Sequence, residues 1–587
     1  MNMKKQILSL FFLILSNGLW AQPKADDLLI QTSELAHFMV NYNADKGSIT
    51  RFYSTSSAEW GGNESGGFNM PERIDRLLLL IEEYNKKLNG LNFAKLSKNG
   101  QVDYLMLSQR LKDEAYVLLE ERKKQQQLQP YIPFANRIYD LERPRRRGMT
   151  VKAQDVASEM NEIKKMILAE QEKLKQKPKL EKDMVVYGQT TIKSLQSLLK
   201  KYFDFYNEYD PLFHWWVPAT YKNLDSVLGN YGKSLAQVIQ PGTGQKDDGS
   251  GIIGNPIGKV ELERQLKQSF IPYSPEELVM IANKEFAWCE AEMIKASQQM
   301  GFGTNWKAAL EKVKNTFVPP GQQPQAMMEL YDEVITFLKK HELLTIPPLA
   351  EETWRMYMMS AERQLVSPFF LGGESLIISY PTSTMDYDDK MMSMRGNNPH
   401  FSRAVLHHEI IAGHHLQGYM NNRYKVYRRN SNPFWTEGNA LYWEMVLWDL
   451  NYPRNAEDKV GMLFWRMHRC ARIIFSLNYH LGNWTPQQCI AFLVERVGHE
   501  RANAEGEVRR SFTGGYGPLY QLAYMVGGLQ FYALKKELVD TKKMTYKQFH
   551  DAILQENSLP IEMLRIILTN QSVNRNFETS WRFYKLP

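Results

Sequence analysis

Four histidines and a glutamate fall within nine residues, in His407-His408-Glu409-Ile410-Ile411-Ala412-Gly413-His414-His415, in a chain with only 12 histidines. A short His-rich tract is a metal-binding signal, and imidazole beside carboxylate suits zinc. A carboxylate adjacent to a ligand suits removal of a proton from water. The stretch is not the helical H-E-x-x-H arrangement, because position i+4 from His408 is Ala412. His414 lies six residues on, well off the face of His408 at 3.6 residues per turn. Gly413 permits a local break. The spacing therefore predicts that His408-Glu409 end one helical turn and that His414-His415 begin the next. His415, seven residues from His408, shares its face two turns away and is the alternative ligand. Two histidines need a third ligand, and Asn432 to Glu444 offers it. Pro433 and Thr436 are helix-start residues followed by an apolar run. Glu437 is predicted in the first turn as the ligand, with Glu444 on the same face orienting one of the histidines.

These residues carry a resemblance. His408-Glu409 with Gly413-His414-His415-Leu416-Gln417, then Glu437-Gly438, Ala440-Leu441-Tyr442 and Glu444, resemble the bacterial family catalogued as domain of unknown function 885. Its usual pattern is H-E-x-x-P-G-H-H-x-Q followed by E-G-W-A-x-Y-x-E. That pattern is similar to the one used by helical zinc metallopeptidases such as thimet oligopeptidase and angiotensin-converting enzyme. The shared Gly-His pair favours His414 over His415 as second ligand. Ala412 stands where the family has proline, and Asn439 where it has tryptophan. Pro518, Gln521, Tyr524 and Gly527 match a further family pattern, P-x-Q-x-x-x-Y-x-x-G. The resemblance implies one Zn²⁺ per chain held by His408, His414 and Glu437, a base at Glu409, and hydrolysis of peptides. Related peptidases direct a tyrosine or histidine at the developing oxyanion. Tyr524 is the first candidate here and Tyr516, after Gly514-Gly515, the second. Arg510 is a candidate for a substrate carboxylate or for pairing with Glu505 or Glu507. His480 is a candidate to orient a ligand or substrate.

The competing readings differ in class. A zinc-stabilised helical binding protein without catalysis would close its site with a fourth ligand such as His415 and would have no use for Glu409. A serine or cysteine hydrolase would need a G-x-S-x-G elbow or an activated thiol. The chain has no such elbow, and Cys289, Cys470 and Cys489 stand far apart.

The remaining chain must position these groups. Its 587 residues suffice for a large core or two lobes. A net charge of +7 is mild at this length, and no basic stripe interleaves with aromatics, which argues against nucleic acid as partner. Lys4-Lys5, the apolar run Ile7 to Leu15 and Ala21 before Gln22 read as a secretory signal over 1–21. The mature protein is therefore expected in a periplasm or the medium, without stable membrane insertion. Oligomeric state is left open. Residues 22–240 read as helices. Residues 241–260, rich in Gly and Asp, form a loop without phosphate-binding spacing, and 261–587 form the catalytic region. Ser274-Pro275-Glu276-Glu277 predicts a capped helix start. Ser379-Tyr380-Pro381-Thr382-Ser383, with its flank Leu376-Ile377-Ile378, is the best strand candidate. By analogy with helical metallopeptidases it is expected to line a substrate cleft. The expected fold is mostly α, a large helical metallopeptidase-like fold with two helical lobes around a cleft and a small β-sheet.

Overall fold

The computed structural model describes residues 32–54, 69–242, 244–366, 372–428 and 431–586. The signal segment at 1–21 lies outside the described residues. The chain is mostly helical, with one small parallel sheet, as the periodicity predicts. It divides into two compact units.

One unit comprises Phe38–Leu91 and Met106–Lys246. Its helices are α1 (Ala36–Tyr53), α2 (Glu72–Asn89), the greater part of α3 (Lys98–Leu128), α4 (Ala135–Arg145), α5 (Ala153–Lys173), α6 (Lys182–Asn207), α7 (Pro211–Trp216) and α8 (Pro218–Ser234). Apolar residues at three- and four-residue spacing, such as Leu195, Leu198, Leu199 and Tyr202 on α6, turn one face of each helix inward. Helix α8 packs on α5 and α6, and Phe134 meets Tyr231 edge to face at 5.1 Å.

The other unit contains Asn92–Leu105 and Asp247–Pro587. It holds α9 (Gly258–Gln268), α10 (Pro275–Gln299), α11 (Trp306–Lys314), α12 (Gln323–Lys340), α13 (Pro348–Thr353), α14 (Ala361–Val366) and α15 (Tyr387–Gly396). These are followed by α16 (Pro399–Glu409), α17 (His414–Asn421), α18 (Pro433–Asp449), α19 (Ala456–His480), α20 (Pro486–Phe492), α21 (Arg501–Thr513), α22 (Tyr520–Lys535), α23 (Tyr546–Gln555) and α24 (Ile561–Leu568). The predicted capping box at Ser274 and Glu277 starts α10. Helices α18 and α19 are buried nearly all round, so neither shows a clean apolar stripe. Around α19 stand α10, α16 and α22.

Strand β2 (Ser375–Ile378) takes in the flank Leu376–Ile378 of the predicted strand and pairs in parallel with β1 (Arg355–Met358), but Ser379–Ser383 lie outside it, where Pro381 has no N–H to continue a ladder. The sequence reading took the region of β1 for helix, and four residues are too few for a period of two to register. The three cysteines are buried free thiols. Among the described residues no helix is long and apolar enough to cross a membrane.

Candidate metal centre and its cavity

Helix α16 starts at Asn398, whose side-chain oxygen accepts from the backbone N–H groups of His400 and Phe401, with Pro399 in the first turn. It ends at Glu409. Ile410, at φ −113° and ψ −95°, leaves the helical region, and α17 begins at His414. The break falls where the six-residue spacing requires it. Gly413 is obligatory there, because a Cβ would run into the His408 carbonyl. The Ile411–Ala412 peptide is cis.

The break turns His408 and His414 toward each other, with ring centroids 4.9 Å apart and planes at 89°. His408 is fixed from behind, its Nδ1 hydrogen-bonded to Glu444 Oε1 at 2.8 Å. Its Nε2 therefore faces the site. Glu437 Oε2 lies 3.4 Å from His408 Nε2 and 3.3 Å from His414 Nε2. This oxygen is buried and makes no hydrogen bond of good geometry. Tyr520 donates to the other oxygen, Oε1, at 2.6 Å. Glu409 joins the group with Oε2 4.0 Å from His414 Nε2, and ligand atoms of His408, Glu409 and His414 lie within 4.8 Å of one another. Two imidazole nitrogens converging on an otherwise unpartnered buried carboxylate oxygen fit a transition metal with nitrogen and oxygen ligands.

Electrostatics point the same way. Burial alone would disfavour charge on His414, but the carboxylates of Glu437 and Glu409 outweigh it and raise its pKa to about 9. His408 is likewise raised against burial by Glu437 and Glu444. Glu437 is driven well below the usual carboxylate range, against burial, by the two imidazoles. Without a cation, protons on the histidines balance the carboxylates.

Glu437 is placed by helix contact. Helix α18 starts at Pro433, capped by Asn432 rather than Thr436, so Glu437 sits in the second turn and not the first as the sequence suggested. The next residue, Gly438, meets Gly527 of α22 backbone to backbone: a Cβ on Gly438 would lie 2.5 Å from the Gly527 Cα. This close approach brings Tyr520 and Tyr524, which follow one another at i and i+4 on α22, against the metal-ligand cluster. Tyr524 lies parallel to His408 at 6.1 Å between ring centroids. Its phenol is pushed up to about 12, by burial first and then by Glu437, so it remains a donor near neutrality.

The cluster opens on a cavity of about 230 Å³. His408, Glu409, His414 and Glu437 line it, together with Arg469, Arg472, Arg510, Glu507 and the three tyrosines Tyr516, Tyr520 and Tyr524 among others. Gly372, three residues before β2, touches Glu409, where any side chain would collide with it. Tyr516 stacks on Tyr520 at 4.3 Å and is 36% exposed, at the rim. Arg510 Nε lies 2.8 Å from Glu507, which settles the choice between Glu505 and Glu507.

Two sequence expectations need correction. His415 points away from the cluster, with its Nε2 2.8 Å from the carbonyl of Ala350, because one residue of helix turns it about 100° from His414. His480 does not line the cavity. It is packed against Tyr479 and Phe512 without a hydrogen bond on either ring nitrogen, and burial lowers its pKa to about 4. Sequence reasoning assigned no role to Tyr520, Arg469, Arg472 or His468. A usable signal existed in Trp465, His468, Arg469 and Arg472, which share one helix face at i, i+3, i+4 and i+7.

Fold and site together define a predominantly helical protein with a two-histidine cluster between two glutamates, lining a small cavity together with three arginines. A family model described as a bacterial protein of unknown function, DUF885, matches residues 69–568, and the chain belongs to that family. Among solved structures, it is similar to a putative lipoprotein of unknown function from Shewanella oneidensis. That match has 16% identity and a TM-score of 0.66, over 92% of this chain and all of that one. It is also similar to a putative lipoprotein from Colwellia psychrerythraea, with 16% identity and a TM-score of 0.55, over 92% of this chain and 98% of that one. At this identity the likeness concerns the fold. No curated protein matches.

Proposed function

We propose that this protein is an exported zinc-dependent peptidase. The observation that carries the reading is the convergence of His408 Nε2 and His414 Nε2 on the unpartnered Glu437 Oε2, with Glu409 beside them on the cavity wall. A zinc ion held by His408, His414 and Glu437 would act as a Lewis acid on the substrate carbonyl and on water. Glu444 keeps the His408 ring in the orientation that presents Nε2. Glu409 accepts a proton from the attacking water as its oxygen bonds to the carbonyl carbon. It then delivers that proton to the amine nitrogen as the C–N bond breaks. Tyr524, protonated at neutral pH, donates to the developing oxyanion. Tyr520 is committed to Glu437, and Tyr516 at the rim is the second donor.

The direction of His415 toward Ala350 counts against a closed four-ligand structural site, which would have used it. The leader-like segment at 1–21 supports export. The test is Glu409→Gln, which keeps all three ligands. Zinc content should stay near one per chain while hydrolysis of a peptide library falls by about two orders of magnitude or more. Full activity in Glu409→Gln, or a wild-type protein that holds no transition metal and gains nothing from added zinc, would refute the reading.

A further inference from the structure

Beside the His–Glu cluster the cavity wall carries more positive charge than its close ion pairs neutralise. Arg469, Arg472 and Arg510 all line the cavity. Glu507 serves two of them, with Arg472 Nε at 2.7 Å and Arg510 Nε at 2.8 Å. The carboxylate nearest Arg469 is Glu444, at 3.6 Å, and that group is already engaged by His408. His468, the other titratable group on this face, hydrogen-bonds His499 at 2.9 Å, and burial holds both imidazoles neutral. Glu437 also acts on Arg472 across the cavity lining, so the least compensated guanidinium is that of Arg469, whose ion pair is the loose 3.6 Å contact with Glu444.

The hydrogen bonds show the same imbalance. Arg469 Nε and Arg472 Nη1 are buried and have no partner among the described residues. The two side chains are 7% and 4% exposed. Buried guanidinium donors are costly to leave unmade, and each asks what meets it. Both guanidiniums lie over the ring of Tyr524, at 4.7 and 4.4 Å from its centroid, which fixes their planes against the cavity.

We propose that Arg469 and Arg472 form a subsite for the terminal carboxylate of a peptide, so that substrates are taken by their free C-terminal end. This rests on the peptidase reading given above. Two charged forks against one aromatic ring suit a planar anion bound through paired N–H groups. The reach is short. Arg472 is 4.4 Å from the Tyr524 ring centroid, which is 6.1 Å from that of His408. At about 3.3–3.6 Å per extended residue, these two steps together span about three residues. The small cavity accommodates a chain end of this length. The subsite therefore selects removal of short carboxyl-terminal pieces over cleavage inside a long chain.

The subsite is tested by binding, on the full mature protein freed of metal with a chelator, so that neither turnover nor a bound ion contributes. Isothermal titration compares N-acetyl-trialanine as free acid with its C-terminal amide, an amidated peptide bearing an aspartate side chain, and inorganic phosphate. The acid is expected to bind at least about tenfold more tightly than each of the others, as charge-assisted paired hydrogen bonds would give. In Arg469→Gln the preference should fall to within about threefold, and Arg469→Lys should recover only part of it. Arg469 is chosen because Arg472 holds the buried Glu507 and its loss threatens folding. If Arg469→Gln does not fold, the acid-to-amide comparison in the wild type decides alone. Equal binding of acid and amide, undetectable binding of the acid, or phosphate or the aspartate amide matching the acid would each overturn the proposal. Retained acid preference in a protein that, zinc-loaded, hydrolyses nothing would remove the function proposed above and leave this subsite standing. Equal hydrolysis of acid and amide would do the reverse.

Discussion

Replacing Gly438 by alanine perturbs the site without touching any group proposed to do chemistry. The added Cβ would stand 2.5 Å from the Cα and 2.6 Å from the carbonyl carbon of Gly527. Carbon atoms in contact prefer about 3.5 Å, so α18 and α22 must part by about 1 Å. Both opposing surfaces are backbone, and no side-chain rotation relieves the clash. Overpacking of this kind costs about 1–3 kcal/mol. For a domain of a few hundred residues that lowers Tm by roughly 2–10 °C. Glu437 directly precedes Gly438 and Tyr520 stands on the opposing helix, so the separation also strains the Tyr520–Glu437 hydrogen bond of 2.6 Å. A displacement near 1 Å at a reacting centre costs about 100-fold in rate. Thermal unfolding followed by circular dichroism reads the first effect, and zinc affinity by competition with a chromophoric chelator, together with peptide hydrolysis, reads the second. A Gly438→Ala protein with Tm unchanged to within about 1 °C and unchanged zinc affinity would show that these helices do not meet at the glycine pair, and the account of how Glu437 is placed would fall.

Glu444→Gln should weaken zinc binding by about 10- to 100-fold while leaving the fold intact, because His408 loses the anionic partner that orients it; equal affinity in equilibrium dialysis would contradict this. His415→Phe should leave zinc content unchanged and cost about 1–3 kcal/mol in urea unfolding, since the Ala350 carbonyl loses its donor; loss of zinc would return His415 to the ligand set. Arg428 is fully buried, with Asp103 at 2.7 Å and Glu556 at 2.6 Å, so Arg428→Met should destabilise by about 3–5 kcal/mol by stranding the buried Asp103; a neutral result in urea unfolding would deny the pair that weight. Burial, reinforced by nearby Lys314 and Arg472, lowers His499 to about 3, whereas the unfolded chain takes up its proton near 6.5. Folding stability contributed by this neutral histidine is therefore complete above about pH 6.5 and lost progressively down to about pH 3. His499→Gln should flatten the acid limb of stability against pH by up to about 1.4 kcal/mol per pH unit, and an unaltered slope would refute the assignment.

The helical architecture was legible because its signals are local: periodic apolar faces, the Ser274–Glu277 capping box and the missing residue at i+4 from His408. The break at Gly413 followed from counting residues against the helical pitch. Glu437 and Glu444 were placed correctly relative to each other, since seven residues of one helix fix their relation, although the helix start was three residues early. What escaped was set by tertiary contact. Nothing in the spacing shows that Gly438 meets Gly527, and so nothing shows that Tyr520 rather than Tyr524 bonds Glu437. His480 looked like a site residue by type, yet its position on α19 is two turns beyond Arg472, past the end of the cavity. The arginine wall was hidden by the habit of reading a cation in a helix as a solvated face, which fails for a helix buried all round.

The interruption between α16 and α17 also governs how adjustable the cluster is. In an unbroken helix the spacing of two facing histidines is fixed by the backbone repeat, and substitutions elsewhere leave it alone. Here each histidine belongs to a separate rigid segment: His408 to one lodged against α12, α18 and α19, His414 to one resting on α13 and α23. The gap between their Nε2 atoms is thus a tertiary distance, set by how the two segments are shimmed. Packing changes away from the ligands, such as one between α17 and α23, can widen or narrow it by fractions of an ångström. On the metal reading proposed above, such shifts would retune affinity for the ion while every ligand stays the same.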